Sequence, residues 1–196
     1  MTADNGHLPH CVGNGYRAEL QMGDVEDPDD RNLRRRLLAR RLVSHRARTQ
    51  TVQLFTGLSR HQLETLRQRW GVTAEERHRG PSPTSFTEFF RTSRNVQAAS
   101  AAAVLCRLVD AIPSQASGQD ISLSLEMGER LCFAYEALQA CYPQAGLEFE
   151  HLLLLVTGLA EGTCLRLGEC RGCGASILVD TLSVRDSLCL AGCGGD

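Results

Sequence analysis

Two closely spaced cysteine pairs near the end of the sequence could bind a metal ion: Cys170-x2-Cys173 and, fifteen residues further on, Cys189-x3-Cys193. Each pair places two thiolates on one turn, so the four sulfurs can converge on a tetrahedral ion at about 2.3 Å. Because protein ligands would fill all four positions, no position remains for an activated water. The pattern therefore predicts one structural zinc ion, Zn2+, in a small unit that spans residues 169–196.

The alternative for a Cys-x2-Cys motif is a redox pair, but thioredoxin-like proteins carry one such pair after a strand and at a helix start, not two pairs. Between the two pairs, residues 176–179 and 182–184 have the composition of strands, so we expect a short β-hairpin there. Burial alone cannot stabilise so small a unit. Zinc binding, at about 10–16 kcal/mol in peptide models, would supply the missing free energy.

The remaining cysteine usage indicates a reducing compartment. The chain has nine cysteines and begins with polar residues that lack the apolar segment of a secretory signal. Disulfides are rare in the cytosol, and no apolar stretch reaches the ~18 residues of a membrane span. We therefore expect a cytoplasmic protein without membrane contact. Four cysteines outside the pairs should be buried as small apolar side chains, with the last a weaker alternative ligand: Cys106, Cys132, Cys141 and Cys164.

Charge is distributed very unevenly along the sequence. Residues 1–30 carry one arginine and seven acids, net −6, whereas residues 31–94 carry fifteen arginines and four acids, net +11. Residues 95–196 carry five arginines and twelve acids, net −7. A GC-rich genome could explain the absence of lysine, but codon usage does not move charge into one third of a chain. Such a basic block is typical of a polyanion-binding surface.

The basic block should begin with an amphipathic helix capped by Asp30. Arginines cover most of its surface without intervening acids, so the helix repels itself unless an anionic group lies nearby. The alternative, simpler interpretation is that these arginines form a solvent-exposed helix face without a binding role. The apolar positions recur at roughly helical spacing: Leu33, Leu37, Leu38 and Leu42.

Residues 49–69 have the spacing of a helix-turn-helix unit. Gly57 can supply the positive φ of a tight turn, and Ser59 can cap the second helix. That helix would lie in the major groove with its early residues near base edges. An ordinary helical hairpin is the alternative, but the basic surroundings favour DNA binding. The predicted DNA-contacting residues are Thr49, Gln50, Ser59, Arg60, His61, Gln62, Thr65 and Arg67.

The rest of the chain is predicted to be helical. A capping-box pattern at Ser85 should start a long helix that ends near Asp110, followed by helices at about 123–140 and 149–167. The predicted fold class is mainly α: a helix-turn-helix-like three-helix part, a helical middle and a small zinc-binding unit with a possible short β-hairpin. The predicted divisions are a disordered acidic extension, a basic DNA-binding part, an Ala-rich helical core and a four-cysteine zinc-binding unit: 1–30, 31–80, 81–168 and 169–196.

This layout resembles the FlhC family of flagellar transcriptional activators. The similarity lies in residues 69–108, which include GPSPTSFTEFF and RNVQAASAAAVLCRL, and in the four cysteines, whose order matches the family's four ligands. It covers about residues 31–193. The sequence differs from the family in the x3 spacing of its second cysteine pair, where x2 is common, in the absence of a basic tail and in its acidic extension.

The resemblance implies a DNA-binding subunit that is not an enzyme. FlhC forms a heterohexamer with FlhD, binds promoter DNA upstream of flagellar class II genes and recruits RNA polymerase. We accordingly expect an FlhD-like partner and no small-molecule substrate. The alternatives are a divergent FlhC-like regulator of non-flagellar genes and a zinc-stabilised protein-protein adaptor. Consistent with a non-enzymatic role, the sequence has no Gly-rich phosphate loop, no nucleophile elbow and no open metal site.

Overall fold

The computed structural model describes residues 27–73, 75–77, 80–112, 122–182 and 193. Within these ranges the fold is mainly helical with one two-stranded antiparallel sheet, which confirms the predicted fold class. The elements are α1 (Pro28–Ser44), α2 (Thr49–Thr56), α3 (Arg60–Arg69), a 3-10 helix (Phe86–Phe90), α4 (Ser93–Leu108), α5 (Leu125–Cys141), α6 (Phe149–Glu161), β1 (Leu165–Glu169) and β2 (Ser176–Asp180).

Helix α1 begins earlier than the sequence pattern indicated. Asp27 is its N-cap, with Oδ1 accepting from the Asp29 amide at 2.9 Å, and Pro28 occupies the first helical position. Proline suits that position because its missing N–H would have had no helical partner. Asp30 therefore lies inside the first turn and is not the cap. The predicted disordered extension is wrong for residues 27–30, and its residues 1–26 lie outside the described part of the chain.

The buried face of α1 is also rotated from the predicted one. Leu38 and Leu42 are fully buried together with Ala39 and Val43, whereas Leu33 and Leu37 are 57% and 55% exposed. The reason is tertiary, because α1 packs against both α2 and α5, and the side chains that meet those helices are the buried ones.

The helix predicted from Ser85 to Asp110 is in fact two helices. Ser85 caps only the 3-10 helix, its Oγ accepting from the Thr87 amide at 3.3 Å. Thr92 then caps α4, its Oγ1 accepting from the Asn95 amide at 3.2 Å. The break places Phe89, which is fully buried, in the core. The 3-10 helix thus ends at Phe90, and α4 begins after its own capping residue, Thr92.

The third predicted helix is shorter than expected and is followed by a strand. Gly162, at φ +67°, ends α6, so residues 165–167 belong to β1 rather than to a helix. Strand β1 pairs with β2 in antiparallel register, with Leu167 opposite Leu178. The first predicted hairpin segment, residues 176–179, lies in β2, and β2 pairs with the segment before the first cysteine pair. Residues 183 and 184 lie outside the described part of the chain.

One hydrophobic core connects these elements. Buried side chains from α1, α2, α4, α5, α6 and both strands belong to a single cluster, which crosses the predicted divisions at residues 80 and 168. The alanine run of α4 lets β2 approach closely, and the Leu178 amide donates to Ser100 Oγ at 2.9 Å. Among the described residues, no helix is long and apolar enough to cross a membrane.

Candidate metal centre and nucleic-acid interface

Three of the four predicted zinc ligands come together in the structure. The sulfur atoms of Cys170, Cys173 and Cys193 all lie within 4.8 Å of one another. Ligands at about 2.3 Å from a tetrahedral ion would have sulfurs about 3.8 Å apart, so small side-chain adjustments suffice for coordination. The three cysteines are therefore close enough to bind a metal ion. The fourth predicted ligand, Cys189, lies outside the described residues.

The hairpin loop between β1 and β2 positions the first cysteine pair. The Cys170 amide donates to the Ala175 carbonyl at 2.8 Å, and the Gly174 amide donates to the Cys170 carbonyl at 2.9 Å. Gly174 has φ +71°, a conformation that favours glycine. The Gly172 amide points at Cys170 Sγ at 3.4 Å, a contact that stabilises a thiolate. The loop thus presents both sulfurs on the same side.

Gly172 also explains how Cys193 reaches the loop. A Cβ added at Gly172 would lie 2.8 Å from the Cβ of Cys193. Any larger residue would therefore push the distant cysteine away from the cluster. This close approach is one observation that the sequence pattern alone could not show.

The other described cysteines do not join the cluster. Burial raises the pKa of the Cys106 and Cys132 thiols to about 12, so both remain protonated in the helical core. Cys141 is exposed at the end of α5 and Cys164 is half-buried before β1. The described part of the chain therefore offers no support for Cys164 as an alternative ligand.

Helices α2 and α3 form the predicted helix-turn-helix. The turn is Gly57, Leu58 and Ser59, and Gly57 has φ +66°. Ser59 Oγ accepts from the Gln62 amide at 3.2 Å while Gln62 Oε1 accepts from the Ser59 amide at 2.9 Å, which completes a capping box. This reciprocal cap fixes the start of α3 at Arg60, directly after the turn.

Internal contacts hold the unit on the helical body. The buried Glu150 carboxylate of α6 accepts from the Arg48 amide at 2.8 Å and from Thr51 Oγ1 at 2.9 Å, at the start of α2. Arg67 in the last turn of α3 donates to Thr49 Oγ1 at 2.8 Å. Each of the two helices is thereby anchored at a defined point.

Arg67 does not suit its predicted role as a DNA contact. It is 5% exposed, and burial lowers the pKa of its guanidinium. Its partner Thr49 is half-buried and committed to the same hydrogen bond. Arg67 was predicted as a DNA contact within the basic segment, but its side chain is buried and joins α3 to α2.

The other predicted DNA contacts remain accessible. Gln50, Ser59, Arg60, His61 and Gln62 are exposed, and Thr65 is half-buried. The structure adds two exposed residues of α3 that the sequence reasoning missed, Gln68 and Arg69. Their spacing of three and four residues from Thr65, on the same side of a helix, was the available signal.

Part of the arginine block is neutralised within the molecule. Arg34 makes a two-pronged ion pair with Glu129 at 2.7 and 2.5 Å, and Arg41 makes the same arrangement with Glu136 at 3.0 and 2.8 Å. From the first ion pair to the second, the position advances by seven residues on α1 and by seven on α5. The two helices therefore run side by side in the same direction. The anionic groups expected near the arginines of α1 are thus the carboxylates of Glu129 and Glu136 on α5. Several other arginines are exposed and carry the remaining surplus: Arg31, Arg36, Arg40, Arg46, Arg60, Arg69, Arg91 and Arg94.

No protein-family model matches the chain, and no curated protein matches it.

Proposed function

We propose that this chain is a DNA-binding subunit of a transcriptional activator of the FlhC type. The observation that carries the proposal is α3 itself, a capped helix after a three-residue turn, whose exposed residues include Arg60, His61 and Arg69. No acidic residue lies in the first turn of α3. Its positive dipole end and its arginines therefore attract phosphate while the neighbouring polar side chains can reach base edges.

In this proposal the cysteine cluster holds one zinc ion, with Cys189 as the fourth ligand. The zinc is structural, because four thiolates leave no open coordination position. It ties the segment around Cys193 to the loop between β1 and β2, where the described sulfurs converge. The unit thereby supplies a folded surface behind the helical body and takes no part in reading DNA.

The resemblance extends the proposal to partners. An FlhD-like protein would complete the DNA-binding complex, and the complex would recruit RNA polymerase at flagellar class II promoters. A divergent member acting on non-flagellar genes would use the same α3 surface with other base contacts.

The test is a fluorescence-anisotropy titration of a class II promoter duplex with the full chain and its FlhD-like partner. Exchanging Arg60 and Arg69 for Ala should weaken binding about tenfold or more, because each arginine contributes a charge-assisted contact. The matched control is Arg91→Ala with Arg94→Ala, which removes two exposed arginines, one just before α4 and one in its first turn. The control should change affinity by less than about twofold.

Unchanged affinity in the α3 double variant would exclude α3 as the DNA-contacting helix. An equal loss in both double variants would mean that the chain binds DNA through its overall charge. Zinc content should remain at one per chain in both, because neither pair contacts the cysteines.

A second candidate function, a protein-protein adaptor, is favoured by one feature of α1 and α5. Leu33, Leu37 and Arg41 follow each other at four-residue steps, and the Arg41 guanidinium lies 4.6 Å from the ring centroid of Phe133, which is 61% exposed. The apolar side chains of Leu33, Leu37 and Phe133 thus lie outside the core where α1 meets α5. A protein partner could cover this surface. Absence of any DNA complex at low salt, with and without the FlhD-like partner, would favour the adaptor.

A further inference from the structure

A cavity of about 320 Å³ lies between the first half of α1, the turn of the helix-turn-helix and the start of α5. Three arginines of α1 line it: Arg31, Arg34 and Arg35. Its size falls at the lower end of small-molecule pockets. Neither the metal centre nor the DNA-contacting face of α3 uses this cavity.

The charges around the cavity are only partly compensated. Arg34 is paired with Glu129, and the single carboxylate in the lining, Glu126, is held by Arg130 at 2.6 Å. Arg31 and Arg35 have no carboxylate partner among the described residues. The Arg35 Nε atom is shielded from solvent and makes no hydrogen bond within the described part of the chain. The Nε atoms of Arg48, Arg67 and Arg77 are shielded in the same way, but those three residues do not line the cavity. A buried N–H group of a cation without an acceptor is costly, so a ligand that brings an acceptor to Arg35 would be favoured.

The start of α5 provides further donors in the same cavity. Ser124 is the N-cap and its Oγ accepts from the Met127 amide at 3.2 Å. The Leu125 and Glu126 amides precede the first helical hydrogen bond and therefore lack partners within the helix. The N-terminus of the 17-residue helix α5, with its partial positive charge, thus borders the cavity that the arginines line.

We propose that this cavity binds a small phosphate-bearing molecule, a phosphomonoester, through Arg31, Arg35 and the first amides of α5. Donors from two helices, α1 and α5, border the space, and a phosphate with three terminal oxygens can accept from both helices at once. The recessed position of Arg35 favours a small ligand over a DNA backbone, since a duplex surface is convex. Leu123 and Leu125 would contact the organic part of the ligand.

The position of the cavity gives the ligand a means to influence the neighbouring turn. The Arg35 Nη2 atom lies 3.9 Å from the point where a Cβ on Gly57 would be. A phosphate held by Arg35 would therefore connect α1, the turn before α3 and α5. This inference does not depend on DNA binding and can be tested without DNA.

The test is isothermal titration of the full chain with inorganic phosphate and with adenosine 5′-monophosphate at physiological salt. Both probes should bind at one site, the nucleotide more tightly because of the apolar wall. Arg31→Gln with Arg35→Gln should weaken binding by about tenfold or more, equivalent to about 1.4 kcal/mol. The matched control, Arg36→Gln with Arg40→Gln, removes the same charge from exposed positions of α1 outside the cavity and should change affinity by less than about twofold.

The single variant Arg31→Gln guards against a folding artefact, because Arg31 is exposed and its exchange leaves the core intact. It should still weaken binding about threefold or more, with an unchanged thermal unfolding midpoint. Three results would overturn the proposal. The first is no binding of either probe to the unaltered chain, and the second is an equal loss of affinity in the control variant. The third is that the cavity exchanges weaken binding of duplex DNA but leave the affinity for both probes unchanged.

Discussion

The helical body and the C-terminal cysteine unit are stabilised by different means. The body buries a continuous set of leucine, alanine and phenylalanine side chains from six helices. The loop between β1 and β2, in contrast, is exposed from Arg171 to Ser176, and only Cys170 among its first residues is buried. Burial therefore accounts for the first region, whereas in the second the proposed metal ion would supply the stabilisation that burial does not.

This contrast separates two kinds of sequence signal. A core is specified by many residues that each contribute a little, so its exact face depends on what packs against it. A metal site is specified by a few ligands at fixed spacing, so its residues can be recognised before the fold is known. The two regions meet where Ile177 and Leu178 of β2 pack beneath the loop, both nearly fully buried.

The largest expected effect is the loss of a metal ligand. Cys170→Ser should reduce bound zinc from one per chain to near zero and unfold the loop, because zinc contributes about 10–16 kcal/mol in small sites. The helical body should retain its far-UV circular dichroism. Elemental analysis after dialysis measures the metal, with Cys141→Ser as the control, since Cys141 is exposed and outside the cluster. A full complement of zinc in the Cys170 variant would show that the cluster is not the binding site.

Exchange of a buried core residue should destabilise the helical body without affecting zinc binding by the cysteine unit. Leu131→Ala, at a fully buried position of α5, should lower the free energy of unfolding by about 2–5 kcal/mol and leave zinc content unchanged. Phe133→Ala in the same helix should cost at most about 1 kcal/mol, since Phe133 is largely exposed and contacts Arg41. Urea unfolding measures both, and equal effects would contradict the assignment of the buried face of α5.

The anchoring of the helix-turn-helix should be sensitive to Glu150. Glu150→Gln keeps the size of the side chain but replaces one acceptor oxygen with a donor, opposite either the Arg48 amide or Thr51 Oγ1. We expect a loss of about 1–3 kcal/mol in the free energy of unfolding. An exposed carboxylate on the same helix, Glu161→Gln, serves as the control and should change stability by less than about 0.5 kcal/mol.

The smallest predicted effect is a pH dependence of the α1–α5 seam. The Arg41 guanidinium, with a further hydrogen bond from His45, holds the pKa of the Glu136 carboxyl below its ordinary value. Because this pKa is lowered by folding, the ionised Glu136 carboxylate stabilises the fold at pH values above its unfolded-state pKa. That stabilisation is lost as pH falls through the folded-state pKa. Because Glu136 is 40% exposed, solvent screening limits the effect to less than about 1 kcal/mol. The stability difference between the unaltered chain and Glu136→Gln should therefore shrink on acidification in urea titrations at several pH values.

The sequence predicted the parts that rest on special residues. Gly57 and Ser59 each have one conformational or capping role, so the turn and the start of α3 were readable without tertiary information. The converging cysteines were readable for the same reason, as far as the described residues Cys170, Cys173 and Cys193 show.

The sequence could not show the parts that depend on distant neighbours. Leucines lie on two sides of α1, and only contact with α2 and α5 decides that Leu38 and Leu42 are buried while Leu33 is not. The inward turn of Arg67 likewise depends on Thr49 in another helix. Strand β1 continues an apolar pattern begun in α6, and Gly162 was the only local sign that the helix ends.

The claim that α3 contacts DNA is tested most directly by the salt dependence of binding to the promoter duplex. For the chain with the proposed FlhD-like partner, the logarithm of affinity should fall linearly with the logarithm of salt concentration, because bound arginines displace counterions. Exchanging Arg60 and Arg69 for Ala should reduce the magnitude of that slope by about 2, one for each lost phosphate contact. A slope unchanged by the double exchange would contradict the account.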